Sequence, residues 1–173
     1  MHIEITGRMT GKTTRLIAAA NKKRQEGKKV VIVLSTPLDK EHMRMFLDIA
    51  MDIASKVKGA YVTSCDLLNI NRRNELPLAE REILEALIKD SDACWFFDEF
   101  GWYENQLDIP IMPNGYYTTT PRPSFDLMNA SGDRVINQLL AKAETFVDTV
   151  VVMPCNSALR AEGMDFWGID YVA

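Results

Sequence analysis

The stretch Thr6–Thr13 reads Thr-Gly-Arg-Met-Thr-Gly-Lys-Thr and joins two runs of opposite periodicity. Before it, His2–Thr6 carries apolar residues at alternate positions, the pattern of a strand. After it, Lys12–Glu26 carries Leu16, Ile17 and Ala20 at helical spacing, and Gly27 supplies a stop. A strand that turns into a helix within so few residues restricts the chain to a small set of folds.

The same alternation continues downstream. Lys29–Ser35 ("KVVIVLS") is a near-continuous β-branched run, as expected of a strand buried on both faces of a parallel sheet. Asp39–Lys58 predicts a helix with Met43, Phe46, Leu47, Ala50, Ile53, Ala54 and Val57 as its apolar stripe, ended by Gly59. Ala60–Ser64 predicts a strand, and Pro77 opens a helix near Ala79–Lys89. Asp92–Phe100 ("DACWFFDEF") is an apolar strand that ends in two acids. An irregular stretch, Gly101–Pro123, follows, with a short strand expected at Tyr116–Thr120. Ser131–Phe146 predicts a helix, Asp148–Met153 a strand, and Phe166–Val172 a last strand.

This order predicts an α/β fold with a mostly parallel sheet and helices on both faces. At 173 residues, 47% hydrophobic and 25% charged, the chain suits one domain spanning 1–173. In such sheets ligands sit beyond the C-terminal ends of the strands. The Thr6–Thr13 stretch and the two acids both fall at such ends.

Thr6–Thr13 has the length and the Gly-Lys-Thr ending of a phosphate-binding loop. The chemistry needs backbone N–H groups that turn inward, and Gly11 permits the turn without a Cβ clash. A helix starting at Lys12 aims its positive end at an anion. Lys12 supplies a point charge for the β- and γ-phosphates, and the Thr13 hydroxyl can ligate Mg²⁺. Thr6, Gly7, Arg8, Met9, Thr10, Gly11, Lys12, Thr13 and Thr14 are therefore the expected nucleotide-binding residues. One departure stands out: Thr6 occupies the place of the usual first glycine, and a β-branched residue there must avoid positive φ. The alternative is an ordinary strand-to-helix turn with a lysine in it.

Ala93-Cys94-Trp95-Phe96-Phe97 runs into Asp98-Glu99, a pattern like a Walker B segment. Asp98 is the expected Mg²⁺ carboxylate with Thr13, and Glu99 the expected general base on an attacking water, acting with Lys12 in catalysis. Adjacent strand residues face opposite ways. The two acids therefore share a site only if the strand ends or twists there, and Gly101 is the residue expected to allow it.

Other candidates are weaker. Thr118-Thr119-Thr120 has hydroxyls that suit sensing of a γ-phosphate, or is a β-propensity run before Pro121. Arg8, Arg72, Arg73 and Arg122 are candidates for an arginine finger; Arg72 and Arg73 fall in a polar loop, Asn69–Glu75. Lys22, Lys23, Arg24, Lys28 and Lys29 surround a helix C-terminus, where cations complement the dipole, and a solvated end is expected rather than a nucleic-acid patch. Trp102, Tyr103, Tyr116 and Tyr117 suit base stacking or a covered sheet edge.

Taken together, these segments resemble the additional-strand, catalytic-glutamate class of P-loop NTPases, above all the RecA-like ATPase cores of helicases and viral DNA-packaging terminases. "TGRMTGKTT" is similar to their variant P-loops, "KKVVIVLSTP" to their next strand, "WFFDEF" to the acid pair, and "YTTTP" to the hydroxyl-rich strand end that couples hydrolysis to movement. The resemblance spans Met1–Pro121, with Asp148–Met153 as a closing strand. It implies the P-loop NTPase fold and hydrolysis of ATP with Mg²⁺. It also implies nucleic acid as a partner, and a homo-oligomer in which a neighbour supplies the arginine. Neither the second motor domain of helicases nor the nuclease domain of terminases has a counterpart here. The compact size suits a phage or mobile-element protein.

Two other functions compete. "GRMTGKTTRLI", "GKKVVIV" and "FFDEF" also resemble thymidine-kinase-type nucleoside kinases, with Glu99 as base. Cys65, Cys94 and Cys155, with no CxxC pair, cannot make that family's zinc set. The third is a nucleotide-binding module without turnover. The net charge of −4 provides no global basic field to attract nucleic acid. Three scattered cysteines fit reduced thiols and a cytoplasmic location, the host's if phage-encoded. The N-terminus lacks the pattern of a signal peptide, and no apolar run nears the ~18 residues of a membrane span.

Overall fold

The computed structural model describes residues 1–7, 10–35, 40–100, 112, 114–120, 139 and 149–153. Strands β1 (His2–Thr6), β2 (Val30–Leu34), β3 (Tyr61–Ser64), β4 (Cys94–Phe97), β5 (Gly115–Thr119) and β6 (Thr149–Met153) form one sheet in the order β3-β2-β4-β5-β1-β6. Every pairing among them is parallel. The helices are α1 (Lys12–Gln25), α2 (Lys40–Lys56), the short α3 (Ile70–Arg73) and α4 (Leu78–Lys89), and a 3₁₀ turn spans Cys65–Leu68.

Period-two alternation sorts the core into two layers. Val31, Val33, Trp95, Phe97, Ile3, Ile5 and Tyr117 face α4 through Leu84, with Leu139 in the same cluster. Val30, Ile32, Leu34, Cys94 and Phe96 face the other way, onto Leu16 and Ala20 of α1 and Ile53 and Val57 of α2. Helices thus cover both faces, and all five residues of β2 are buried. Each such buried aliphatic side chain contributes about 1.5–3 kcal/mol relative to exposure. The α/β fold with a parallel sheet is therefore as the periodicity predicts.

Several local expectations differ. The α2 stripe is narrower than its spacing suggests: Ile53 and Val57 are buried, while Leu47 is 52% exposed and Ala54 is exposed too. The side chains of Met43 and Phe46 lie outside the described residues. The polar segment Asn69–Glu75 is not a plain loop; Asn69 caps α3 by accepting from the Asn71 N–H at 2.9 Å. Tyr117 is wholly buried in the core, stacked on Phe97 with centroids 4.4 Å apart, so it is no stacking platform for a base. The helix expected at Ser131–Phe146, apart from the helical, buried Leu139, and the strand expected at Phe166–Val172 lie outside the described residues. No described helix is long and apolar enough to cross a membrane.

Candidate active site

The turn after β1 is built to leave a helix start open. Gly11 caps α1 with φ +80°, a left-handed conformation that glycine adopts without a Cβ penalty. Among the described residues no side chain caps this N-terminus, and no acid lies in its first turn. Its first N–H groups and the positive end of its dipole are left for another anion. Lys12 sits in that first turn and is buried, a position that the dipole disfavours for a cation. Its compensation comes from across the sheet: Nζ lies 2.6 Å from Glu99 Oε1.

Asp98 and Glu99 follow β4 immediately. The Asp98 N–H is still tied to the sheet, donating to the Val33 carbonyl at 3.0 Å. The Thr13 hydroxyl donates to the Asp98 carboxylate at 3.2 Å, and the Thr118 hydroxyl donates to Asp98 Oδ1 at 2.8 Å. Glu99 receives the Thr120 N–H at 2.8 Å and the Thr120 hydroxyl at 3.0 Å. Thr118 and Thr120 both belong to the β5 end, so the hydroxyl-rich run holds the two acids. Burial pushes the Asp98 carboxyl above its ordinary range; the bond from Thr118 opposes this and the neighbouring Glu99 charge adds to it.

The two carboxylates reach one site by a route the sequence does not reveal. Glu99 itself has φ +51°, and among the described residues it is the one non-glycine in the left-handed region. The chain turns at Glu99; Gly101, the residue expected to allow the strand to end or twist, lies outside the described residues. Such a conformation costs of order 1–3 kcal/mol and persists where surroundings enforce it. Here Lys12 and Thr120 do so.

Of the loop residues, Thr6, Gly7, Thr10, Gly11, Lys12 and Thr13 line this turn, while Arg8 and Met9 lie outside the described residues. Thr14 is exposed on α1. Thr6 remains in β1 without positive φ, so its departure from glycine costs no backbone strain. Arg72 lies 3.3 Å from Glu75, and Arg73 donates to the Leu68 carbonyl at 2.8 Å; Arg122, Trp102 and Tyr103 lie outside the described residues. In the lysine cluster, Lys23 pairs with Glu26, Lys28 with Asp92 and Lys29 with Asp90. These pairs fit the solvated helix end. A cavity of about 580 Å³, lined by His2, Lys22, Cys94 and Tyr116 among others, opens at the N-terminal ends of the strands. It lies at the opposite end of the sheet from the loop and the acids.

Sequence reasoning missed Glu4. It is 1% exposed in β1, and its carboxylate receives the Arg15 guanidinium, with Nε at 3.1 Å, and the Tyr116 hydroxyl at 3.1 Å. An acid inside an apolar strand was the available signal, but its partners come from α1 and β5.

His2 stacks on Tyr116 with centroids 4.2 Å apart. Its pKa is lowered from 6.5, first by burial, with the Glu4 charge acting against the shift. Below about pH 6.5 the unfolded chain therefore binds more protons at this site than the native one, and stability falls as the pH drops through that value. Thermal melts at about pH 7.5 and about pH 5.5 should show a smaller acid loss for His2→Phe than for wild type. An equal loss in both would mean that His2 does not contribute.

The donor set suits Mg²⁺, which takes one or two carboxylates with a hydroxyl, phosphates and waters: Asp98 and Thr13 stand within 3.2 Å of each other. No family model matches the chain, and no curated protein does. Among solved structures the chain is similar to the assembled ATPase EscN from the type III secretion system of enteropathogenic E. coli, at 13% identity and a TM-score of 0.40. That match covers 98% of this chain and 46% of EscN, so the chain spans less than half of its length.

Proposed function

We propose that residues 1–173 form a single Mg²⁺-dependent P-loop ATPase domain of the additional-strand, catalytic-glutamate class. The observation that carries this is the meeting of Lys12 and Thr13 with Glu99 and Asp98, 85 or more positions along the chain, at the C-terminal ends of two parallel strands. Strand β5 lies between the loop strand β1 and the acid strand β4, which is what an additional-strand architecture requires.

In this mechanism the open start of α1 and the loop amides bind the triphosphate, and Lys12 exchanges Glu99 for the β- and γ-phosphates. Asp98 and Thr13 would hold Mg²⁺, which neutralises phosphate charge when bound. Released from Lys12, Glu99 accepts a proton from the water that attacks the γ-phosphorus, as the bond from that phosphorus to the β–γ bridging oxygen breaks and ADP leaves. Thr120 keeps the carboxylate oriented through two donors. Thr118 holds Asp98.

The test is Mg-ATP binding and phosphate release by wild type and Lys12→Ala, without nucleoside and then with thymidine or single- and double-stranded nucleic acids. Removing one charge-assisted contact should weaken ATP binding by about ten- to a hundredfold. Phosphate release without nucleoside supports the ATPase. Transfer only to thymidine would replace it with the kinase, and binding without turnover with a nucleotide-binding module. Stimulation by a nucleic acid would extend the proposal to that partner.

A further inference from the structure

The Glu4 network reaches into the phosphate loop. Arg15 spans both: its Nε and Nη2 bind Glu4, and its Nη1 donates to the Thr10 carbonyl at 2.6 Å. On the other side the Thr10 hydroxyl lies 2.9 Å from both the Thr6 hydroxyl and the Gly7 carbonyl. The Thr6 hydroxyl in turn donates to Glu4 at 3.4 Å. Thr10 is thus held from its carbonyl and from its side chain, and both lines lead to one buried carboxylate.

The consequence follows from peptide geometry. In a planar trans peptide the C=O and the next N–H point in opposite directions. Fixing the Thr10 carbonyl on Arg15 therefore fixes the direction of the Gly11 N–H on the opposite side. Glycine at φ +80° would otherwise leave that peptide free to rotate.

We propose that Glu4, Arg15 and Thr6 are positioning residues that brace the phosphate loop, with Glu4 as the anchor. This rests on the ATPase reading for its ligand. It also accounts for Thr6. In place of the usual glycine, the threonine supplies the hydroxyl that connects Glu4 to Thr10. Restoring glycine at this position should therefore harm binding.

The experiment measures Mg-ATP affinity, kcat at saturating ATP and thermal midpoint for wild type, Thr6→Gly, Thr6→Ser, Arg15→Met and Glu4→Gln. Arg15→Met leaves the buried Glu4 carboxylate with hydroxyl donors alone, so affinity is measured well below each variant's thermal midpoint. Thr6→Gly and Arg15→Met should each weaken ATP binding by about five- to tenfold, with kcat near wild type. Thr6→Ser should restore wild-type affinity, which a role in β-propensity alone would not produce. The Thr6→Gly/Arg15→Met double variant should lose less than the product of the two single losses, because both act on Thr10. Thr6→Gly binding as tightly as wild type, or Thr6→Ser as weakly as Thr6→Gly, overturns the brace. A wild type that binds no Mg-ATP overturns the ATPase reading itself, so the two failures are told apart.

Discussion

Glu99→Gln should bind Mg-ATP as wild type does and release phosphate about a hundred- to ten-thousandfold more slowly, the range that a positioned general base contributes. The substitution is nearly isosteric. The amide oxygen can still accept from the Thr120 N–H, and the amide NH₂ that replaces the other oxygen can donate to the Thr120 hydroxyl, so the turn at position 99 keeps its support. What disappears is the proton-accepting charge and the ion pair to Lys12. In the nucleotide complex Lys12 has phosphates as partners, so losing Glu99 costs it nothing there.

Rate and backbone strain can be separated at the same position. Glu99→Gly relieves the φ of +51° and removes the carboxylate together. If Glu99 were important only as a turn, the glycine variant would turn over ATP at least as well as wild type. If it is the base, both variants lose turnover to a similar degree. Wild-type phosphate release by Glu99→Gln, measured under saturating Mg-ATP, would remove Glu99 from the mechanism.

The parts of this site that were legible in the sequence are those fixed by local chemistry. Gly11-Lys12-Thr13 after a strand and before a helix demands an open helix start, and Gly11 at φ +80° is its structural form. The β-branched Val30–Leu34 run could be buried only on both faces. The illegible parts depend on neighbours far away in the chain. Nothing near Glu4 indicates that Arg15 and Tyr116 will converge on it, and nothing in "FFDEF" says that position 99 will adopt positive φ. The insertion of β5 between β1 and β4 is likewise a property of the sheet order, not of any one segment. The buried α2 stripe is narrower than its pattern because helical spacing identifies a face, not how much of that face the neighbouring strands can cover. With β3 at the sheet edge, Ile53 and Val57 find cover while Leu47 does not.

The acids also depend on what lies beneath them, and Phe97→Ala should show how much. Phe97 has no exposed surface, lies nearly parallel to Tyr117 at 3° and 4.4 Å, and packs in the cluster with Trp95 and Val33. Truncating such a ring removes its transfer energy and leaves a cavity that close-packed neighbours fill only in part, at a cost of about 3–5 kcal/mol. For a chain of this size that corresponds to a fall of about 6–20 °C in thermal midpoint. Ile83→Ala, at a position 50% exposed on α4, should change stability by no more than about 0.5 kcal/mol. The Phe97 carbonyl also accepts from the Thr118 hydroxyl at 3.4 Å, and the next residue is Asp98. Loss of the ring should therefore weaken Mg-ATP binding even below the melting range, whereas Ile83→Ala should not. Equal thermal midpoints for the two variants would mean that the α4-facing core does not support the acid pair.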